Sequence, residues 1–354
     1  MDDGQPWAEL WIGAHPKLPA RLPAAGDQPL DQWLKAHPEA AGRQGLPFLL
    51  KVLDSAAALS IQAHPDKALA ADLRVRSPEH YPDANHKPEL ALAISPVQAL
   101  CGFRYEASIR ADVARLPALG KFFSGIRGND WLRAAYARIF MASAAEIART
   151  LKKLEATVLA LPRPTPRDRC FLKVLAQYPG DRGTLCAWFL NLVTLRPGQA
   201  LFIPANEPHA YLEGTMIECM ASSDNVVRGG LTNKFIDRDV LLNMLSYKQE
   251  EPEILCGDML PTGGRIYRAG VDEFRLEVWD QRMSCQAHQA NGQLSLLLVL
   301  QGEAELRIGR QKIKASRGTV WLWPAADSTL EFKPLSPGTK IVRAAPADQE
   351  TASC

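Results

Sequence analysis

Three short segments carry side chains able to share one polar pocket. In Leu59-Ser60-Ile61-Gln62-Ala63-His64-Pro65-Asp66, strand alternation turns Ser60, Gln62 and His64 to one face and Leu59, Ile61 and Ala63 to the other. A hydroxyl, an amide and an imidazole on one face line a pocket better than they build a core. Asn85-His86-Lys87-Pro88-Glu89 gathers an amide, an imidazole, an ammonium and a carboxylate beside a proline that stiffens the turn. Glu207-Pro208-His209-Ala210-Tyr211 opens a strand with His209 and Tyr211 on a common face. Pooled, the segments offer two imidazoles, a carboxylate and an amide oxygen, a set that suits a catalytic zinc with an open position. Plainer accounts stand beside this one: hydrogen-bonded histidines before or after a turn, and an exposed charged loop over residues 85–89. Glutamine is also an uncommon zinc ligand.

A fourth segment runs from Met216 to Lys234. Ser223-Asp224-Asn225 is turn chemistry, and Gly229-Gly230 allows backbone conformations and close approaches that other residues resist. Arg228 beside those glycines, with Lys234 six residues on, suits an oxyanion or a phosphate. The plainer account pairs Asp224 with Arg228 across a surface turn. Glu218 is expected in phase with His209 only if no bulge intervenes at the Glu213-Gly214 turn.

The elements that must position these residues fall into three textures. From Trp7 to about Arg104, short apolar runs broken by proline and glycine read as antiparallel strands. From about Glu106 the pattern turns helical. Trp131, Leu132, Ala135, Tyr136, Ile139 and Phe140 share one helical stripe, and Ser143 with Glu146 has capping-box spacing before Ile147, Leu151, Leu154, Val158 and Leu161. Pro162, Pro164 and Pro166 are expected to end the helices, with strand texture returning at about Phe171. Residues 200–203 read as a short buried strand and residues 237–247 as a helix. From about Gly264 a second β block begins, with strands at 294–300, 304–308, 319–322 and 329–332. Pro197-Gly-Gln-Ala-Leu-Phe-Ile-Pro204 and Arg317-Gly-Thr-Val-Trp-Leu-Trp-Pro324 share a loose pattern that hints at duplicated barrels. The second block has one histidine, His288, and no evident polar cluster, so a structural role is expected for it. The predicted division is 1–105 with 163–250, a helical insert at 106–162, and 251–354 ending in a flexible tail.

The whole composition narrows the function. With 354 residues and a formal net charge of +2, the chain gives no support to nucleic-acid binding. Its longest apolar runs fall short of the roughly 20 residues that span a bilayer. The first residues lack the basic and apolar regions of a secretory signal. Seven scattered cysteines without a Cys-x-x-Cys pair fit reduced thiols. A cytoplasmic protein, acting as a monomer on a small ligand, is the expectation.

Taken in order, Ser60-Ile-Gln-Ala-His-Pro-Asp66, His86-Lys-Pro-Glu89, Pro208-His-Ala-Tyr211 and Glu218-Cys-Met-Ala-Ser-Ser-Asp-Asn-Val-Val-Arg228 resemble the motifs of type I mannose-6-phosphate isomerases. Glu9-Leu-Trp-Ile-Gly-Ala-His-Pro16 and Leu50-Lys-Val-Leu-Asp54 resemble that family too. The resemblance implies a mainly β fold: a cupin-type jelly-roll catalytic domain, a helical insert and a second cupin-like domain. It implies one Zn2+ per chain on Gln62, His64, Glu89 and His209, and interconversion of mannose 6-phosphate and fructose 6-phosphate. It marks Arg228 as catalytic, with Glu218, Lys87, His86 and Asp224 as further active-site candidates. Ser60, Lys87, Lys234 and Tyr211 are the expected substrate or phosphate contacts.

Family members usually open on a strand with a Tyr-x-Trp-Gly motif that this sequence lacks. Either the start lies further upstream, or an edge strand and an aromatic pocket wall are lost. Alanine and proline are commoner where Gly230 and Asn233 stand, which predicts a freer loop after Arg228. For the proton shuttle between C1 and C2, Glu218 is the favoured base, with His86, Lys87 and Asp224 as rivals for base or ring opening. Two other classes compete: a non-catalytic sugar-phosphate-binding cupin weakened by loss of the first strand, and an iron cupin for oxygen chemistry. The glutamine ligand and the anion-binding cluster count against iron.

Overall fold

Burial on both faces of its strands explains why residues 48–53 form a nearly unbroken apolar run. The computed structural model describes residues 9–280, 286–308, 311–326 and 329–348; the expected flexible tail lies mostly outside them. One layer of the first β domain runs in the order Glu9–Ile12, Phe48–Ser55, His209–Ala221, Glu89–Ala93, Ala200–Ile203, Ile254–Leu255. The facing layer contains Val227–Gly230, Ile61–Ala63, the start of His209–Ala221, Val97–Phe103 and Leu190–Leu195. All these pairings are antiparallel.

One face of the first layer, carrying Leu53, Ala91, Ala93, Leu201, Ile203 and Met216, packs against Val97, Ala99, Val193 and Tyr211 of the second to form the inner core. The other face turns Phe48, Leu50, Leu90, Leu92, Ile217 and Cys219 against Leu276, Leu296, Leu298, Val342 and Ala344 of the second β domain. The two domains are thus joined sheet to sheet by a buried apolar seam.

The helical region holds Glu106–Arg115, Pro117–Phe122, Trp131–Met141 and Ala144–Leu159. The expected stripe from Trp131 to Phe140 is the buried face of its helix. Ser143 caps the last of the four, its Oγ accepting the Glu146 amide at 3.2 Å. The expected return to strand at Phe171 does not occur. Pro162 and Pro164 end one helix, but Pro166 occupies the first turn of another, Pro166–Gln177, which Thr165 and Asp168 close with a reciprocal capping box. A 3-10 helix, Arg182–Trp188, follows before the strand Leu190–Leu195. Helices also interrupt the β texture earlier, at Leu30–Ala36, Pro38–Ala41 and Lys67–Arg76.

The second β domain pairs Asp258–Met259, Arg265–Arg268, Arg275–Trp279, Lys340–Ala345, Ser295–Gln301 and Val320–Trp323 in one sheet. Gln286–Gln289, Thr329–Pro334, Glu303–Ile308 and Gln311–Ser316 form the other. Among the described residues it has no counterpart of the first domain's imidazole–carboxylate cluster, but it does bury charge. Arg275, Glu277 and Arg343 are buried inside it, with Arg343 Nη1 3.2 Å from Glu277 Oε1 and its guanidinium 4.8 Å from the Trp323 ring centre. These charges alternate with Leu276 and Val278, so a period of two carries them inward while the aliphatics face the seam. His288 stacks on Trp279 at 4.3 Å.

Among the described residues no helix is long and apolar enough to cross a membrane, and Cys101, Cys170, Cys186, Cys219 and Cys256 are free thiols.

Candidate active site

A cavity of about 900 Å³ opens on the first β domain. Its floor is set by the long strand His209–Ala221, which serves both layers. Before a register shift between Tyr211 and Glu213, the strand turns His209 and Tyr211 inward; after it, Glu218 and Met220 line the cavity. The expectation of an unbroken strand is thus reversed: it is the bulge that brings Glu218 into the cavity with Tyr211.

At the back of the cavity His64, Glu89 and His209 converge, and their candidate ligand atoms all lie within 4.8 Å of one another. His64 Nε2 is 3.2 Å from Glu89 Oε1, and His209 Nε2 is 3.4 Å from Glu89 Oε2. Each ring is oriented from behind: His64 Nδ1 is 2.7 Å from the Asn225 carbonyl and His209 Nδ1 is 3.0 Å from the Glu207 carbonyl. Carbonyls only accept, so both protons reside on Nδ1 and both Nε2 lone pairs face Glu89. Those two Nε2 atoms and both Glu89 oxygens are buried without a hydrogen-bond partner. Unsatisfied buried acceptors are costly, and tetrahedral zinc with bonds near 2.1 Å spaces its donors roughly 3.4 Å apart. The three residues fit that ion. Gln62 lines the cavity as the register partner of both His209 and Arg228.

The electrostatics agree with a site for a cation and an anionic ligand. Burial first, then the Lys87 charge, lowers His64 to about 4, so its imidazole is neutral. Against its burial, Glu89 is held well below the usual carboxylate range, chiefly by the charge of Lys87, 3.0 Å from its Oε1. Glu218 moves the opposite way: burial and the Glu89 charge raise it against the pull of Lys51. Burial, with the Glu218 and Glu89 carboxylates behind it, pushes the Tyr211 hydroxyl well above its ordinary value. Arg228 lines the wall, its pKa lowered by burial alone.

The turn that follows is built around Asp83 and Asn225. Asp83 accepts from the Asp224 amide at 2.8 Å and from Ser223 Oγ at 2.8 Å, while Asn225 Nδ2 donates to the Asp83 and Asn85 carbonyls. Asp224 reaches the cavity and pairs there with Lys17 at 2.8 Å, so it does not pair with Arg228. Beyond Arg228, Asp181 accepts the amides of Leu231 at 2.9 Å and Thr232 at 3.2 Å. Gly230, at φ +130, lies so close to Gly183 that an added Cβ would stand 2.5 Å from its Cα. The expected freer loop is thus pinned at Gly230, Leu231 and Thr232.

A family model described as the type I phosphomannose isomerase catalytic domain matches residues 1–106. Mannose-6-phosphate isomerase 2 of Arabidopsis thaliana is 35% identical over 360 residues, which cover 92% of this chain and 81% of that protein. The chain belongs to the type I phosphomannose isomerases. A crystal structure of a mutant of the phosphomannose isomerase from Salmonella typhimurium superposes with a TM-score of 0.88 at 28% identity, covering 98% of this chain and 93% of that one. A zinc-bound mannose 6-phosphate isomerase gives 0.86 at 28% identity, over 97% and 92% of the two chains.

Within this isomerase the cavity gathers Ser60, Gln62, Lys87, Glu89, Tyr211, Glu218, Asp224, Arg228 and Lys234, with His64 and His209 behind them. It does not gather His86. That ring is absent from the cavity lining, and its Nε2 is 2.7 Å from Glu273 of the second β domain. The sequence reading also missed Lys51, Lys17 and Trp11, all on the cavity wall. Lys51 had a signal, a lysine inside an otherwise apolar strand, where burial demands a partner. Trp11 supplies an aromatic wall from the edge strand Glu9–Ile12.

Proposed function

We propose that the chain interconverts mannose 6-phosphate and fructose 6-phosphate through an enediolate, with one zinc held by Gln62, His64, Glu89 and His209. The observation that carries this reading is the convergence of four unsatisfied buried ligand atoms on one wall of a cavity lined by Glu218, Lys87 and Arg228. Zinc, when bound, polarises oxygen ligands as a Lewis acid and holds them in place. Glu218 is the base: a desolvated carboxylate with a raised pKa carries a proton between C1 and C2. Lys51, 3.1 Å from its Oε2, pulls against that rise. Arg228, without a carboxylate partner among the described residues, stabilises the negative charge that develops on the substrate. Lys87, Ser60, Lys234 and Tyr211 orient the sugar and its phosphate, and Asp224 is placed for ring opening. Residues 251–354 form a separate supporting domain, and the helical insert extends from residue 106 to the strand at Leu190.

The test is turnover of mannose 6-phosphate by the purified chain, followed as fructose 6-phosphate formed. Activity should vanish with a chelator and return with zinc. Glu218→Gln should lower kcat by about a hundredfold or more with zinc content unchanged. Near-normal turnover by that variant would remove Glu218 as the base.

A further inference from the structure

One carboxylate of the second β domain, Glu273, reaches basic side chains on two of the segments that carry the metal ligands. Glu273 lies in the turn before the strand Arg275–Trp279. Its neighbour Phe274 is buried in the interdomain seam with Phe48, Leu50 and Leu90, so the turn is fixed by the apolar core that joins the domains. From there Glu273 Oε1 stands 2.7 Å from His86 Nε2 and 3.0 Å from Lys67 Nζ. Its side chain is only 11% exposed. Lys67 follows His64 by three residues and His86 precedes Glu89 by three. One oxygen therefore joins the segment bearing His64 to the segment bearing Lys87 and Glu89.

We propose that Glu273 is a positioning residue for the metal centre, stapling residues 64–67 to residues 86–89 across the domain seam and so helping to set the spacing of His64 and Glu89. The inference rests on the reading of His64, Glu89 and His209 as metal ligands. Asn225 ties the same two segments from inside the first domain, through the His64 ring and the Asn85 carbonyl. Glu273 adds a second, independent tie, and it gives the second β domain a role in a site it does not line. Groups that orient ligands from behind are worth about 10- to 100-fold in metal affinity. Glu273 acts one residue further out, so its share belongs at the lower end.

The test measures zinc release from the loaded full chain to a colorimetric chelator, beside kcat and KM. Glu273→Ala should release zinc about tenfold faster and lower kcat. Glu273→Gln keeps an acceptor oxygen for His86 and should recover to within about threefold of the parent. Release and kcat within twofold of the parent for Glu273→Ala would overturn the inference. Should the alanine variant fail to fold, Glu273→Asp decides: it keeps the charge but is too short to reach Lys67 and His86 together. It is expected to release zinc about fivefold faster, and parent-like release overturns the inference. A parent chain that takes up no zinc would defeat the metal reading itself, and this inference with it.

Discussion

Lys51 and Glu218 are register partners on adjacent antiparallel strands, with Nζ 3.1 Å from Oε2 and both side chains buried beneath the cavity. The pair sets the working range of the proposed base. Burial and Glu89 raise Glu218, and Lys51 is the first group pulling it down. Lys51→Met removes that pull, so Glu218 stays protonated to higher pH and the acidic limb of the kcat/KM profile moves up. The variant also leaves a buried carboxylate with its main counter-charge gone, at a cost of about 3 kcal/mol in stability. Lys51→Arg keeps the charge and should keep the limb. A pH profile that does not move in Lys51→Met would exclude Glu218 as the titrating base.

Much of this site was legible because polar residues at strand periods are conspicuous. Ser60, Gln62 and His64 share a face as alternation requires, with Ile61 and Ala63 buried behind them. What hid were features fixed by partners distant in sequence. Nothing near His86 announces Glu273, which arrives from the other domain. The partner of Lys51 is Glu218, 167 residues away, which the strand pairing brings beside it. The helix after Pro166 was missed because its proline was read as a stop, although Thr165 and Asp168 make it a start. The charged interior of the second β domain was missed for a related reason: Arg275 and Glu277 are buried through each other and through Arg343, a pairing no local pattern reveals.

Metal removal should register in stability as well as turnover. The two buried Nε2 atoms and the Glu89 oxygens, which lack a hydrogen-bond partner, favour the folded state more when an ion occupies them. Zinc at a hundred times its Kd stabilises the folded chain by about 2.7 kcal/mol. Thermal unfolding of chelator-treated protein should shift upward when zinc is restored. His209→Ala removes one ligand, so the zinc-induced shift should shrink or vanish while the fold persists. An equal shift in parent and variant would place the stabilising ion elsewhere.

The paired glycines after Arg228 make opposite predictions. Gly230 adopts a φ of +130, and a Cβ there would stand 2.5 Å from Gly183 Cα and 2.8 Å from Gly183 N, both backbone atoms that side-chain rotation cannot move. Gly229 has no such φ, and its Cβ would meet Ile61 Cγ2 at 3.2 Å and Leu241 Cδ2 at 3.5 Å, both tips of side chains. Gly230→Ala therefore carries a backbone strain of about 1–3 kcal/mol and must also push Gly183 away. Gly183 is bound to Asp181, the residue that holds Leu231 and Thr232, so the displacement passes into the segment bearing Lys234 at the cavity mouth. The expected result is a KM for the sugar phosphate raised about tenfold, on the order of 1.4 kcal/mol of binding, with a lowered melting temperature. Gly229→Ala should leave both within about twofold and a degree or two, because side-chain tips yield at little cost. Equal behaviour of the two variants would mean that the close approach of Gly230 to Gly183 does not hold the substrate loop.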